Sequence, residues 1–251
     1  LSLRRQRQMC IRDRFVAPLV LVVSLALGGN QFPLLVQQGL GEAAVNSVVT
    51  TLASSACAVV LGGVVALLLE RTDVYGKNTL RILLLSPLLI PPFVGAISWL
   101  QLFGNNQGLN AVFGRELWNI YGADGVIFLM TLHSYPVVYI IVAAALRSIP
   151  ADLELAACIS GAGNARVLRT VTLPLLGPAL LSAFTLTAVS NLADFGIPSI
   201  LGSPVRFETL ATMVYRMMES GIVANPLQVV STIGTVLLAV SYTHLTLPTK
   251  A

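Results

Sequence analysis

Apolar residues in this chain fall into long unbroken runs, without the alternation of a half-buried strand. Six runs hold no Asp, Glu, Lys or Arg: 15–41, 43–69, 82–114, 125–146, 170–193 and 220–249. The shortest has 22 residues, and a helix needs about 20 mostly apolar residues to cross a bilayer. The pattern predicts six membrane helices, at about 15–29, 46–69, 80–103, 125–146, 175–193 and 226–240, the last incomplete. The expected fold is an all-α integral membrane protein in the lipid bilayer.

The connections differ in character. Residues 70–78 read as a short charged turn, and 147–174 as the longest polar segment. Residues 104–124 are rich in Gly and Asn and carry Trp118 and Tyr121, which suits an interfacial loop. Within 194–225, Phe207, Leu210, Val214 and Met217 fall on one helical face. Loops 70–81 and 147–174 hold Arg71, Lys77, Arg81, Arg147, Arg166 and Arg169; the opposite loops hold Arg115, Arg206 and Arg216. That imbalance places the first set in the cytoplasm.

Composition agrees. The chain is 55% hydrophobic and 10% charged, where soluble domains are about 25% charged. This excludes an ordinary soluble enzyme, a disordered chain and a nucleic-acid-binding module. The net charge of +4 belongs to the ends, because Arg4, Arg5, Arg7, Arg12, Arg14 and Lys250 outweigh Asp13 there. Residues 1–14 and 241–251 resemble translated sequencing-adapter tails. The expected organisation is a tail at 1–14, a first membrane helix and outer loop at 15–42, a core domain at 43–240 truncated at its carboxyl end, and a tail at 241–251. Cys10, Cys57 and Cys158 show no metal-ligand spacing and no disulfide pairing.

Pro87, Pro91 and Pro92 crowd the third run. They predict either an ordinary kink packed against neighbours or a broken helix lining a path. Ala53, Cys57, Gly62, Gly63 and Ala66 in the second run would let a neighbouring helix approach closely. Polar groups inside a membrane are costly and often functional. Gln101, His133, Asn191 and Asp194 are the candidates for a translocation path. The alternative for His133 is an interhelical hydrogen bond beside Pro136, and for Asp194 a helix-end carboxylate.

The segment 147–180 carries the strongest signal. Pro150 and Asp152 are helix-start signals, so 151–159 is expected to be helical. Gly161 and Gly163 punctuate it, and 165–171 is expected to form a second short helix stopped by Leu173-Pro174. Arg166 and Arg169 share a face. Such a knob holds no catalytic group, and its natural use is docking to a partner.

This segment resembles the EAA loop of binding-protein-dependent ABC-importer permeases. The family pattern is Glu-Ala-Ala, three residues, Gly, nine residues, Ile, one residue, Leu-Pro. Here Ala156-Ala157 precede Gly161 by that spacing, Val171 stands in the Ile place, and Leu173-Pro174 close it. The Glu place holds Leu155, with Glu154 just before it. The sequences around ERTDVYGKNTLR, FGNNQGLN and SNLADFGIPSILG are similar to ferric-iron importer permeases, in which two such units often occur in tandem.

The resemblance implies a multi-pass permease of the bacterial inner membrane. It implies a periplasmic substrate-binding protein, a second permease unit (fused or separate) and cytoplasmic ABC ATPase subunits. It also implies that Gly161 to Arg169 form the coupling helix, with Asn164 and Arg166 contacting the ATPase. Ferric iron is the favoured substrate, with 2-aminoethylphosphonate, thiamine and polyamines as alternatives. Gly76-Lys77 is followed by Asn78 and lacks the leading Gly of a phosphate-binding loop. The chain is therefore expected to bind no cofactor or metal and to be no enzyme. An ion-coupled secondary transporter is the more distant alternative, disfavoured because the runs from 43 to 193 contain no acid.

Overall fold

A computed structural model describes residues 16–29, 31–105, 107–221 and 225–246, with side chains through 239. The tail expected at 1–14 lies outside the described residues. Of 241–251, only helical backbone through Thr246 is described. All regular structure among the described residues is helical.

The helices are α1 (Ala17–Leu27), α2 (Phe32–Gln37), α3 (Leu40–Arg71), α4 (Lys77–Leu85, continued by a 3₁₀ turn at Ser86–Leu89), α5 (Pro92–Phe103) and α6 (Gly108–Val112). There follow α7 (Ala123–Ser148), α8 (Ala151–Ile159), α9 (Asn164–Leu192), α10 (Gly196–Leu201), α11 (Leu210–Glu219) and α12 (Pro226–Thr246). Three of them, α3, α7 and α9, are long and apolar enough to cross a membrane.

The expected third span is a bent pair. The axes of 77–89 and 92–112 meet at 101°. Ile90 is extended (φ −93°, ψ 123°), as a residue before proline tends to be. Pro91 and Pro92 then remove two successive backbone donors, and the helix is broken there, beyond an ordinary kink. The expected first and last spans are shorter apolar helices, Ala17–Leu27 and Pro226–Ala239. Gly28 and Gly29 follow the end of α1.

Two structural units divide the chain, Val48–Phe207 and the described parts of Leu1–Ser47 with Glu208–Ala251. In the second of these, α1 packs along α12. A core of Leu35, Leu40, Ala43, Leu210, Met213, Met217, Val229 and Ile233 joins α2, α3, α11 and α12. The amphipathic stretch holds in part: α11 buries Leu210 and Met217, and also Met213, with Val214 half-buried, whereas Phe207 precedes the helix and packs with the core of Ile120 and Leu201. Thr209 and Thr212 form a reciprocal cap at its start. Arg216 ties its far end to Glu208 at 2.6 Å and to the Gln38 carbonyl at 3.0 Å.

In the Val48–Phe207 unit, α3, α7 and α9 pack around Ala58, Val65, Ala66, Leu69, Tyr135, Val138, Val142, Leu176 and Ala183. Gly62 makes this possible, because a Cβ there would lie 2.7 Å from both the Tyr135 carbonyl and the Val138 Cβ. The small-residue stripe holds at Gly62, Gly63 and Ala66, all buried. Cys57 is exposed, and neighbouring Ala58 takes the buried place. A second core joins α5, α7 and α10, with Trp99, Phe103, Trp118 and Phe128 in mutual ring contact at 5.0–5.8 Å. Trp118 thereby serves as an anchor for the 104–124 loop. Asn110, buried, folds that loop by donating to the Phe103 carbonyl at 2.9 Å and accepting from the Leu117 amide at 2.8 Å.

Candidate functional site

At 32 residues, α3 is about 48 Å long, well beyond a hydrocarbon core of about 30 Å. Its charge-free run ends at Leu69, so Glu70 and Arg71 project at the basic face. Glu70 accepts from Arg147 Nη2 at 2.8 Å and Nε at 3.0 Å, from Arg81 Nη2 at 2.9 Å and from Tyr139 Oη at 3.2 Å. The hydrogen bonds from Arg147, with the charges of Arg147 and Arg81, hold its carboxyl at about 2, against the usual 4.5 and in spite of burial. The segment read as a short charged turn therefore begins as helix.

Beside it, Arg71 Nη2 donates to the Leu146 carbonyl at 3.1 Å and pairs with Glu154 Oε1 at 3.2 Å. Thr172 Oγ1 donates to the same Glu154 oxygen at 2.8 Å. Glu154 and Ala157 form the half-buried inner side of α8, while Leu155, Ala156, Cys158 and Ile159 are exposed. Leu155 is 57% and Ile159 87% exposed, and they stand one turn apart. The helix expected at 151–159 is present. Gly161 then turns the chain at φ +86°, a left-handed conformation that disfavours a side chain.

The second short helix expected at 165–171 is corrected. Asn164 opens a helix that continues to Leu192. Pro174 does not stop it. A π turn over Leu168–Thr172 widens the backbone just ahead of the proline, where its ring would crowd the Thr170 carbonyl. The free-standing short helix is thus 151–159, and 164–169 is the base of a span. Asn164, Arg166, Arg169, Leu173 and Pro174 are all exposed along that base.

The path candidates fall in different settings, although His133 and Asp194 lie near enough to interact electrostatically. Gln101 is exposed on α5. Asn191 is buried and donates to Ser54 Oγ at 2.9 Å and Ser55 Oγ at 3.3 Å, while accepting from Ser134 Oγ at 2.7 Å. Its side chain knits α3, α7 and α9 together. Asp194 Oδ1 accepts from the Gly196 amide at 2.8 Å and the Ile197 amide at 3.4 Å, so it caps α10. His133 lines a cavity of about 290 Å³ beside the proline break, with Pro91, Pro92, Trp99 and Ile197. Sequence reasoning missed Ser54, Ser55 and Glu70. The signals were small hydroxyls inside apolar runs and a carboxylate directly after one. Among the described residues, no cluster of three or more His, Cys, Asp or Glu gathers to hold a metal.

Long apolar helices, a helix pair bent at 90–92 and a short exposed helix define a multi-span α-helical membrane protein. The chain belongs to the binding-protein-dependent transport system inner membrane components, whose family model matches residues 58–247. It is 30% identical over 151 residues to a ferric transport system permease protein, FbpB, of Actinobacillus pleuropneumoniae, covering 58% of this chain and 21% of the relative. It is 35% identical over 151 residues to the molybdenum transport system permease protein ModB of Mycobacterium tuberculosis, covering 60% and 57%. The chain thus spans less than two thirds of either relative. Its fold is that of a chain in a bacterial alginate ABC transporter crystallised with an alginate-bound periplasmic protein: TM-score 0.77, 14% identity, 97% and 90% coverage.

Proposed function

We propose that this chain is the membrane-spanning permease subunit of an ATP-driven importer. A periplasmic binding protein delivers substrate to the outer face. Two permease units, fused or separate, enclose the path. Separate cytoplasmic ATPase subunits hydrolyse ATP. The observation that carries this reading is the exposed apolar face of α8, Leu155 and Ile159. It lies in the segments that hold six of the nine basic residues between 15 and 240. Exposed aliphatic side chains outside the bilayer gain free energy when a partner covers them. A cleft on the ATPase is the partner proposed, with Asn164 and Arg166 supplying polar contacts at its edge.

Ferric iron is the substrate proposed first, because the similarity to iron permeases extends through ERTDVYGKNTLR, FGNNQGLN and SNLADFGIPSILG. Molybdenum is the second reading, favoured by the 35% identity to a molybdenum permease. Uptake into vesicles containing this chain, its ATPase and its binding protein tests both readings, with ferric ion and molybdate as probes. Uptake of one probe should require ATP hydrolysis. Uptake driven by an ion gradient alone would contradict the proposal. Gly161→Val should leave ATP hydrolysis intact while reducing uptake. A β-branched residue at φ +86° strains the turn by about 1–2 kcal/mol and re-aims α8. Full transport by that variant would count against the coupling role of this turn.

A further inference from the structure

Glu154 looks inward. Its side chain is 23% exposed and that of Arg71 30%. One carboxylate oxygen takes both the Arg71 contact at 3.2 Å and the Thr172 hydroxyl at 2.8 Å. Arg71 ends α3 and reaches the last turn of α7 through the Leu146 carbonyl at 3.1 Å. Thr172 is buried inside the π turn at the base of α9. Four elements therefore meet at one charge-assisted joint: the ends of two spans, the base of a third and the free-standing helix. Apolar packing holds α8 weakly, since none of its residues is fully buried.

We propose that the Arg71–Glu154–Thr172 joint fixes the angle of α8 to the spans and transmits its displacement to them, with Arg71 and Glu154 as positioning residues that do not touch the ATPase. The proposal rests on the permease reading above and assigns it a route. A push on Leu155 and Ile159 moves Glu154. Glu154 pulls on Arg71 at the end of α3 and on the widened turn at the base of α9. A π turn replaces the regular i−4 bonding of a helix with a wider register, and such turns are frequent at functional sites. Adjacent Glu70 joins the same end of α3 to α4 and α7 through Arg81 and Arg147, so movement of one joint reaches the other.

The test compares Glu154→Ala, Arg71→Ala and Glu154→Gln in vesicles containing the full chain with its ATPase and binding protein. It reads ATP hydrolysed per ferric ion or molybdate imported, alongside the amount of chain in the membrane. A second measurement, amide-hydrogen exchange over 151–159 in the chain alone, needs no transported probe. The expected result is unchanged membrane abundance and about tenfold more ATP per substrate for Glu154→Ala, corresponding to about 1.4 kcal/mol of lost coupling. Arg71→Ala should fall between that and Glu154→Gln, whose amide oxygen still accepts from both partners. Exchange over 151–159 should quicken in the same order. A purely structural role would lower abundance and leave the ATP ratio unchanged, and that result overturns the proposal. So does unchanged exchange in Glu154→Ala. Import by the unsubstituted protein without ATP would instead remove the permease reading, and the proposal with it.

Discussion

Two polar clusters grip the same helix, α3, and they are built differently. At Ser54 and Ser55, within the apolar run, every partner is neutral: Asn191 and Ser134 complete a buried network with no charge. At Glu70 and Arg71, just past that run, the partners are Arg81, Arg147 and Glu154. The difference follows from the solvent. A charge inside hydrocarbon is costly to hold, whereas a satisfied amide and hydroxyls are tolerated. Past the apolar run, cationic partners are at hand, so even Glu70, with its side chain 8% exposed, keeps its charge paired. The buried cluster sets which helices are neighbours, and the ionic one sits where α8 joins them.

Substitution at Gly62 should break both clusters together, because it lies on α3 between them. Gly62→Leu forces α3 away from the Tyr135 carbonyl and Val138, at a cost of about 3 kcal/mol or more. Thermal unfolding in detergent should show its largest loss in this variant. Glu70→Ala should come next, at about 2–3 kcal/mol, since it leaves Arg81, Arg147 and Tyr139 without their shared acceptor. Its pH dependence separates the two clusters. Glu70 has its carboxyl at about 2 when folded, below the usual 4.5. Its contribution is complete above the usual value and is lost as pH falls towards 2. Glu70→Gln should flatten the acid limb of the stability profile.

Asn191→Ala should cost less, about 1–2 kcal/mol, because interhelical hydrogen bonds in bilayers average about 0.6 kcal/mol each. It should leave the acid limb unchanged. A pH-dependent loss in the Asn191 variant, or none in the Glu70 variant, would erase the distinction.

Much of this was legible in the sequence. Charge-free runs located α3, α7 and α9, and glycine and proline signals bounded α8. The prolines were harder to read, because their effect depends on what surrounds them. Pro91 and Pro92 in tandem force Ile90 into an extended conformation and break the span. Pro136 sits inside α7 without ending it. Pro174 is passed through a π turn. Asn191 and Asp194 looked alike as polar residues near one helix end. Only the positions of Ser54, Ser134 and the Gly196 amide separate a clamp between helices from a cap. Glu154 stands one position before the Glu place of the EAA pattern, and its inward direction depends on Arg71, more than eighty positions away.

Cys158 offers the most direct test of the central claim, that α8 is the surface the ATPase grips. It is a native, exposed thiol beside Leu155 and Ile159. A short thiol-reactive photo-crosslinker attached there, in a chain with Cys10 and Cys57 replaced by serine, should join the permease to the ATPase subunit in membranes. The adduct should disappear in Cys158→Ser. An ATPase that co-purifies with the chain yet never cross-links from Cys158 would contradict the account.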